Sequence, residues 1–148
     1  MTITRLDHLV LAVHAITDAL AAWRHALDLT AGEPHHPDRT HMQIAALPLD
    51  TDAGGPALSD AGGAFLELVQ PTDPSHRVAR FLDATGEGMF SISLQVDDFD
   101  STVAQLRDRG LPVSDPEPGV YPNTRVVRIP RADAHGVAVQ LIERQRAT

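Results

Sequence analysis

Leu6-Asp7-His8-Leu9-Val10-Leu11-Ala12-Val13 reads as a β-strand. Alternation sets Leu9, Leu11 and Val13 on one side and His8, Val10 and Ala12 on the other, so one imidazole stands on an otherwise apolar face. Residues 89–96 repeat the pattern, with Ile92, Leu94 and Val96 opposite Ser91, Ser93 and Gln95. Counted from His8 and from Ser91, the apolar residues that follow fall at equal offsets: Ile16 with Phe99, Leu20 with Val103, Trp23 with Leu106. Two unrelated amphipathic helices would not share a strand-to-helix register, so the chain reads as an internal duplication.

Composition narrows the chemistry. The 148 residues suit one compact domain, or two halves that share a core, because halves of this size are marginal alone. Cysteine is absent, which removes thiolate nucleophiles and thiolate metal ligands. Lysine is absent too, since all 12 basic residues are arginine, and Schiff-base chemistry goes with it. A net charge of -8 argues against nucleic acid and favours neutral or cationic ligands, although local arginines can override it. No apolar run approaches the roughly 18 residues of a membrane span. The expectation is a cytoplasmic protein with no membrane partner.

Along the chain, the first helix is expected over 17–29, capped by Thr17 or Asp18, stopped at Gly32, and burying Ile16, Leu20, Trp23 and Leu27. Strands follow at 41–49 and 64–70, separated by a glycine-rich segment, 50–63. A linking helix at 75–84 leads to the second strand-and-helix pair. That second helix spans 98–109, with Asp98 or Asp100 as cap and Gly110 as stop. A proline-rich loop, 111–124, precedes strands at 125–129 and 137–143. From His8 to Glu67 is 59 residues and from Ser91 to Gln140 is 49; the excess falls in the glycine-rich segment. Glu67 and Gln140 are therefore equivalent positions.

Leu6-Asp7-His8-Leu9, Phe65-Leu66-Glu67-Leu68-Val69-Gln70-Pro71, Phe81-Leu82 with Gly86-Glu87-Gly88-Met89, and Gly136-Val137-Ala138-Val139-Gln140-Leu141 together carry a resemblance. The chain resembles the vicinal oxygen chelate superfamily, which includes the glyoxalases, and most of all its methylmalonyl-CoA epimerase branch. The resemblance implies an α+β fold of two tandem βαβββ modules forming a cupped mixed sheet. Module 1 is expected at about 4–71, a linker helix at about 75–84 and module 2 at about 88–144, all in one domain. It also implies a homodimer, and a divalent metal held at the positions of His8, Glu67, Ser91 and Gln140. His8 and Glu67 match the family pattern, whereas Ser91 stands in place of a histidine and Gln140 in place of a glutamate. Any metal would then rest on His8, Glu67 and Gln140.

Two strong ligands seldom hold a divalent ion tightly. Proton transfer next to a carbonyl, of isomerase, epimerase or lyase type, needs an acid and a base, and Glu67 and His8 are the evident pair. Ser91, Ser93, Gln95 and Gln140 are neutral hydrogen-bonding groups suited to orienting a small-molecule substrate, such as a thioester or another carbonyl compound. His41, at the end of a loop, is a candidate to close over a ligand. Arg125, Arg128 and Arg131 are either an anion site or a solvated strand face. The alternative function is metal-free sequestration of a small molecule, as in the bleomycin-resistance relatives. Against it, the chain has only six aromatic residues for stacking a flat drug.

Overall fold

A computed structural model describes residues 1–49 and 64–145; the glycine-rich segment singled out above lies outside the described residues. Seven strands and three helices follow in the order β1 (Ile3–Ala12), α1 (Ile16–Leu27), β2 (Met42–Pro48), β3 (Phe65–Pro71), α2 (Arg77–Thr85), β4 (Gly88–Val96), α3 (Phe99–Asp108), β5 (Glu117–Pro118), β6 (Thr124–Ile129) and β7 (Ala138–Arg144). A short 3-10 turn, Arg131–Asp133, joins the last two strands. The strands form a mixed sheet in the order β2-β3-β1-β4-β7-β6-β5, with β2–β3 and β6–β7 antiparallel and β4–β7 parallel. Among the described residues no helix is long and apolar enough to cross a membrane.

The chain divides into two compact units. One comprises Met1–His8 with Ser91–Thr148, the other Leu9–Phe90, and the boundary falls within β1. In the second unit Val13, Ile16, Ala45, Leu47, Leu66 and Leu68 form a buried cluster, with Leu9, Leu11, Leu20 and Trp23 packed against it. In the first unit Val96, Phe99, Val103, Leu106, Val127 and Leu141 do the same, with Leu94 and Val139 at the edge. The residues paired by the duplication therefore fill corresponding places in two separate cores. Each helix also begins eight residues after its reference position, α1 after His8 and α3 after Ser91.

The equivalence reaches the smaller strands. Glu117 pairs with Val126 across β5 and β6, and His35 bridges Ile44 of β2 at the same sequence separation. What is a strand in the second half is thus a single bridge in the first.

Helix ends depart from the expectation in an instructive way. α1 starts one residue earlier, at Ile16, and neither Thr17 nor Asp18 caps it. The free N–H of Ile16 donates instead to Oε1 of Gln70 on β3, at 2.8 Å. The helix ends at Leu27, before Gly32, because Asp28 takes a left-handed conformation and its N–H donates to the Arg24 carbonyl. Leu27, expected to be buried, is 60% exposed. α3 follows its sequence signals: the Asp98 carboxylate accepts from the Ser101 N–H at 3.1 Å, and Gly110 is left-handed just beyond the end. Gln70→Ala should lower the unfolding free energy by about 1 kcal/mol, as loss of a helix cap does. Thr17→Ala should leave it unchanged, and urea unfolding of the two variants tells them apart.

Candidate functional site

Which face each strand turns away from its helix follows from the two cores. Leu9, Leu11 and Val13 pack toward α1, so alternation turns His8 to the opposite face. Leu66 and Leu68 do the same for Glu67. Leu94 and Val96, with Val139 and Leu141, pack toward α3 and turn Ser91, Ser93, Gln95 and Gln140 away from it. The family positions thus lie on the sheet faces turned away from α1 and α3, yet His8, Glu67, Ser91 and Ser93 are buried.

In the unit built around α3, these residues form one hydrogen-bonded chain. The Ser93 Oγ lies 2.9 Å from His8 Nε2, and Gln140 Nε2 donates to the same oxygen at 3.0 Å. The parallel register makes the second contact possible, since Ser93 and Gln140 are direct partners across β4 and β7. On its other side His8 Nδ1 meets Oδ1 of Asp7 at 2.6 Å. Arg144, at the end of β7, clamps that carboxylate with two donors, Nε to Oδ2 at 2.6 Å and Nη2 to Oδ1 at 2.8 Å. Tyr121 packs edge-on against the His8 ring at 5.9 Å, and the Arg144 guanidinium lies 5.4 Å from the tyrosine ring centre. Gly119 keeps the adjoining turn tight, because any side chain there would collide with Thr124.

When the imidazole is neutral, the donors and acceptors set where each hydrogen in this chain lies. Asp7 can only accept, so His8 Nδ1 carries a proton. Gln140 donates to Ser93, whose own hydrogen is then free to go to His8 Nε2, which accepts. Burial alone would raise the Asp7 pKa. The hydrogen bonds from Arg144 and His8, and their charges, outweigh it and hold the carboxyl well below its usual range. Asp7 is therefore an anion at neutral pH that keeps a proton on His8 Nδ1, as carboxylates do for functional histidines.

Asp7, Arg144 and Tyr121 were not legible as site residues. Strict alternation sends Asp7 and His8 to opposite faces, but the two are buried consecutively and touch, with the carboxylate drawn toward Arg144. Gln95, expected to meet substrate, accepts from Arg5 Nε at 2.7 Å. Ser91 is buried in register with Ala138. His41 is exposed at a left-handed position before β2, where its carbonyl accepts from the Thr72 N–H. Arg125 pairs with Glu143 and Asp100, Arg128 with Glu117, and Arg131 with the Gly136 carbonyl, so this group is tied to the protein's own acceptors.

In the other unit Glu67 is 4% exposed and faces Ala46 across β3 and β2. Its charge acts on Arg77, the first residue of α2, whose guanidinium lies 5.3 Å from the Phe90 ring centre. Phe90 in turn packs edge-on against Phe81 at 5.3 Å.

Within the unit built around α3, without the carboxylate of Glu67, the donors do not suffice to hold a divalent ion tightly. His8, Ser91 and Gln140 offer one imidazole, one neutral hydroxyl and one amide, and both imidazole nitrogens already have partners within the chain. Among the described residues no group of three or more His, Cys, Asp or Glu side chains is arranged to hold a metal.

Residues 7–127 match the family model described as the Glyoxalase/Bleomycin resistance protein/Dioxygenase superfamily. The chain belongs to that superfamily. It is 25% identical over 140 residues to an uncharacterized protein of Bacillus subtilis strain 168, YqjC, with 94% of this chain and 91% of that protein covered. Among solved structures it resembles a variant of the Streptomyces coelicolor methylmalonyl-CoA epimerase in complex with 2-nitronate-propionyl-CoA. The TM-score is 0.81 and the identity 26%, over 96% of this chain and 95% of the other. It also resembles the methylmalonyl-CoA epimerase of Mycobacterium tuberculosis, with a TM-score of 0.79 and 27% identity, over 99% of this chain and 90% of the other.

Arg144→Met should cost about 3–5 kcal/mol in urea unfolding, since it leaves the Asp7 charge buried without its main partner. The Asp7 pKa is depressed on folding, so its pairing stabilises the protein above the unfolded value and is lost as pH falls through the folded one. The gap between wild type and Arg144→Met should therefore hold steady at neutral pH and narrow below about pH 4.

Proposed function

We propose that the chain is a small-molecule enzyme that moves a proton on the carbon next to a carbonyl, in the manner of an isomerase or epimerase. Glu67 and His8 are its acid-base pair, and an acyl thioester is its substrate. The observation that carries this reading is the buried Asp7–His8–Ser93 chain. It holds the imidazole between a carboxylate at Nδ1 and a hydroxyl at Nε2, a line of contacts along which a proton can move. Structural neighbours named as methylmalonyl-CoA epimerases support an acyl thioester as the substrate class.

Removing a proton beside a carbonyl builds negative charge on the carbonyl oxygen, and neutral donors aimed at that oxygen stabilise it. Gln140, whose amide carries a second hydrogen beyond the one given to Ser93, supplies such a donor, and Ser91 and Gln95 belong to the same strand face as Ser93. His8 takes or returns its proton at Nε2 while Asp7 stabilises the imidazolium, and Arg144 keeps Asp7 ionised throughout. Glu67 exchanges the proton as the second group of the pair. A lyase-type elimination would begin with the same proton removal, and a homodimer is part of this proposal.

The second reading is a metal-free binding protein of the same superfamily. The substitution of two family ligands by Ser91 and Gln140, with both His8 nitrogens engaged internally, favours it. Exchange of the α-proton of methylmalonyl-CoA in deuterated water, followed by NMR, separates the two. Catalysed exchange that falls by about a hundredfold or more in Glu67→Gln and in His8→Gln, with unchanged circular dichroism, is the expected result. Tight binding with no exchange would replace the enzyme by the sequestering protein.

A further inference from the structure

Ser93, His8 and Asp7 stand in a definite order. The Ser93 Oγ lies 2.9 Å from His8 Nε2, and His8 Nδ1 lies 2.6 Å from Oδ1 of Asp7. A hydroxyl at one imidazole nitrogen and a carboxylate at the other is the arrangement that turns a weak oxygen nucleophile into a strong one. The ring takes the hydroxyl proton, while the carboxylate orients the ring and stabilises the imidazolium. Such a set is defined by its geometry and not by the order of its members along the chain. Proton exchange through His8 leaves the Ser93 oxygen without a chemical role of its own.

The neighbours of Ser93 direct its hydrogen. Gln140 Nε2 donates to the Ser93 oxygen at 3.0 Å and has no lone pair to offer in return, so the hydroxyl hydrogen goes to His8. The second amide hydrogen of Gln140 supplies a donor beside Ser93 for an oxygen that gains negative charge. At the far end of the line Arg144 holds Asp7 with two donors and keeps the carboxylate against the ring. Ser93 and His8 are both fully buried. Apolar side chains on this strand face would pack without the cost of desolvating an ion pair, so packing alone does not account for the line.

We propose that Ser93 is a nucleophile and that the chain hydrolyses a small acyl thioester through an acyl-serine. The Ser93 oxygen forms a bond to the carbonyl carbon as its proton passes to His8 Nε2, and Gln140 donates to the carbonyl oxygen. The carbon–sulfur bond then breaks, and His8 gives the proton to the departing sulfur. Water attacks the acyl-serine, loses a proton to His8, and releases a carboxylic acid as that proton returns to the Ser93 oxygen. The sum is thioester plus water to acid plus thiol, with no change of oxidation state. Ser93 and His8 touch the reacting atoms, whereas Asp7 is a positioning residue. The inference rests on the reading above for one premise, that an acyl thioester enters this site. Proton exchange and thiol release are read separately, so each can fail alone.

Propionyl-CoA serves as the thioester probe and diisopropyl fluorophosphate as the probe for an activated serine. The chain has no cysteine, so a thiol reagent reads released CoA and nothing of the protein. Ser75, an exposed serine whose hydroxyl meets Asp73 and no imidazole, is the control. CoA release should fall by about a hundredfold or more in Ser93→Ala and in His8→Gln, with circular dichroism unchanged, and persist in Ser75→Ala. The phosphoryl label, located by peptide mass spectrometry, should sit on Ser93 of the wild type and be lost in His8→Gln. Release no faster than in protein-free buffer, undiminished release by Ser93→Ala, or a wild type that carries no label at Ser93 each overturns the proposal. Mapping the wild-type label requires no variant, so it decides the question even where Ser93→Ala fails to fold.

Discussion

The buried charge on Asp7 constrains everything around it. A carboxylate with no water to solvate it survives only among donors, and Arg144 and His8 meet that demand from opposite sides. The pairing ties the N-terminal end of β1 to the C-terminal end of β7 across 137 positions of sequence. Because the carboxylate stays ionised, the imidazole beside it has one tautomer, and the rest of the polar chain follows from that single fact.

Duplication supplies the scaffold, and divergence supplies the chemistry. The two cores are built from matched residues, so their sizes and helix registers correspond. The positions turned away from α1 and α3 are where the halves part company: an imidazole at His8 against a hydroxyl at Ser91, and a carboxylate at Glu67 against an amide at Gln140. Packing selects for apolar volume and tolerates little change, whereas the face away from each helix is free to vary in function.

Much of this was legible in the sequence. Alternation found the strands, and the common offsets of Ile16 with Phe99 and of Trp23 with Leu106 found the duplication and the core stripes. Two kinds of feature were not legible. The cap of α1 comes from Gln70, more than fifty residues away, and propensity rules see only neighbours. Alternation alone would put Asp7 on the helix-facing side, and nothing in its sequence surroundings announces a cation at Arg144. Pairings across distant strands depend on topology, and local pattern carries no information about them.

The hydroxyl of Ser93 has a single hydrogen, and it sits between two nitrogen-bearing side chains. When His8 gains a second proton, Nε2 becomes a donor, and Ser93 must then receive from both neighbours. Its hydrogen is expelled from the line and has to find a new acceptor. Ionisation of the imidazole is thereby written into the rotation of one buried hydroxyl, which makes Ser93 a built-in indicator of the charge next door.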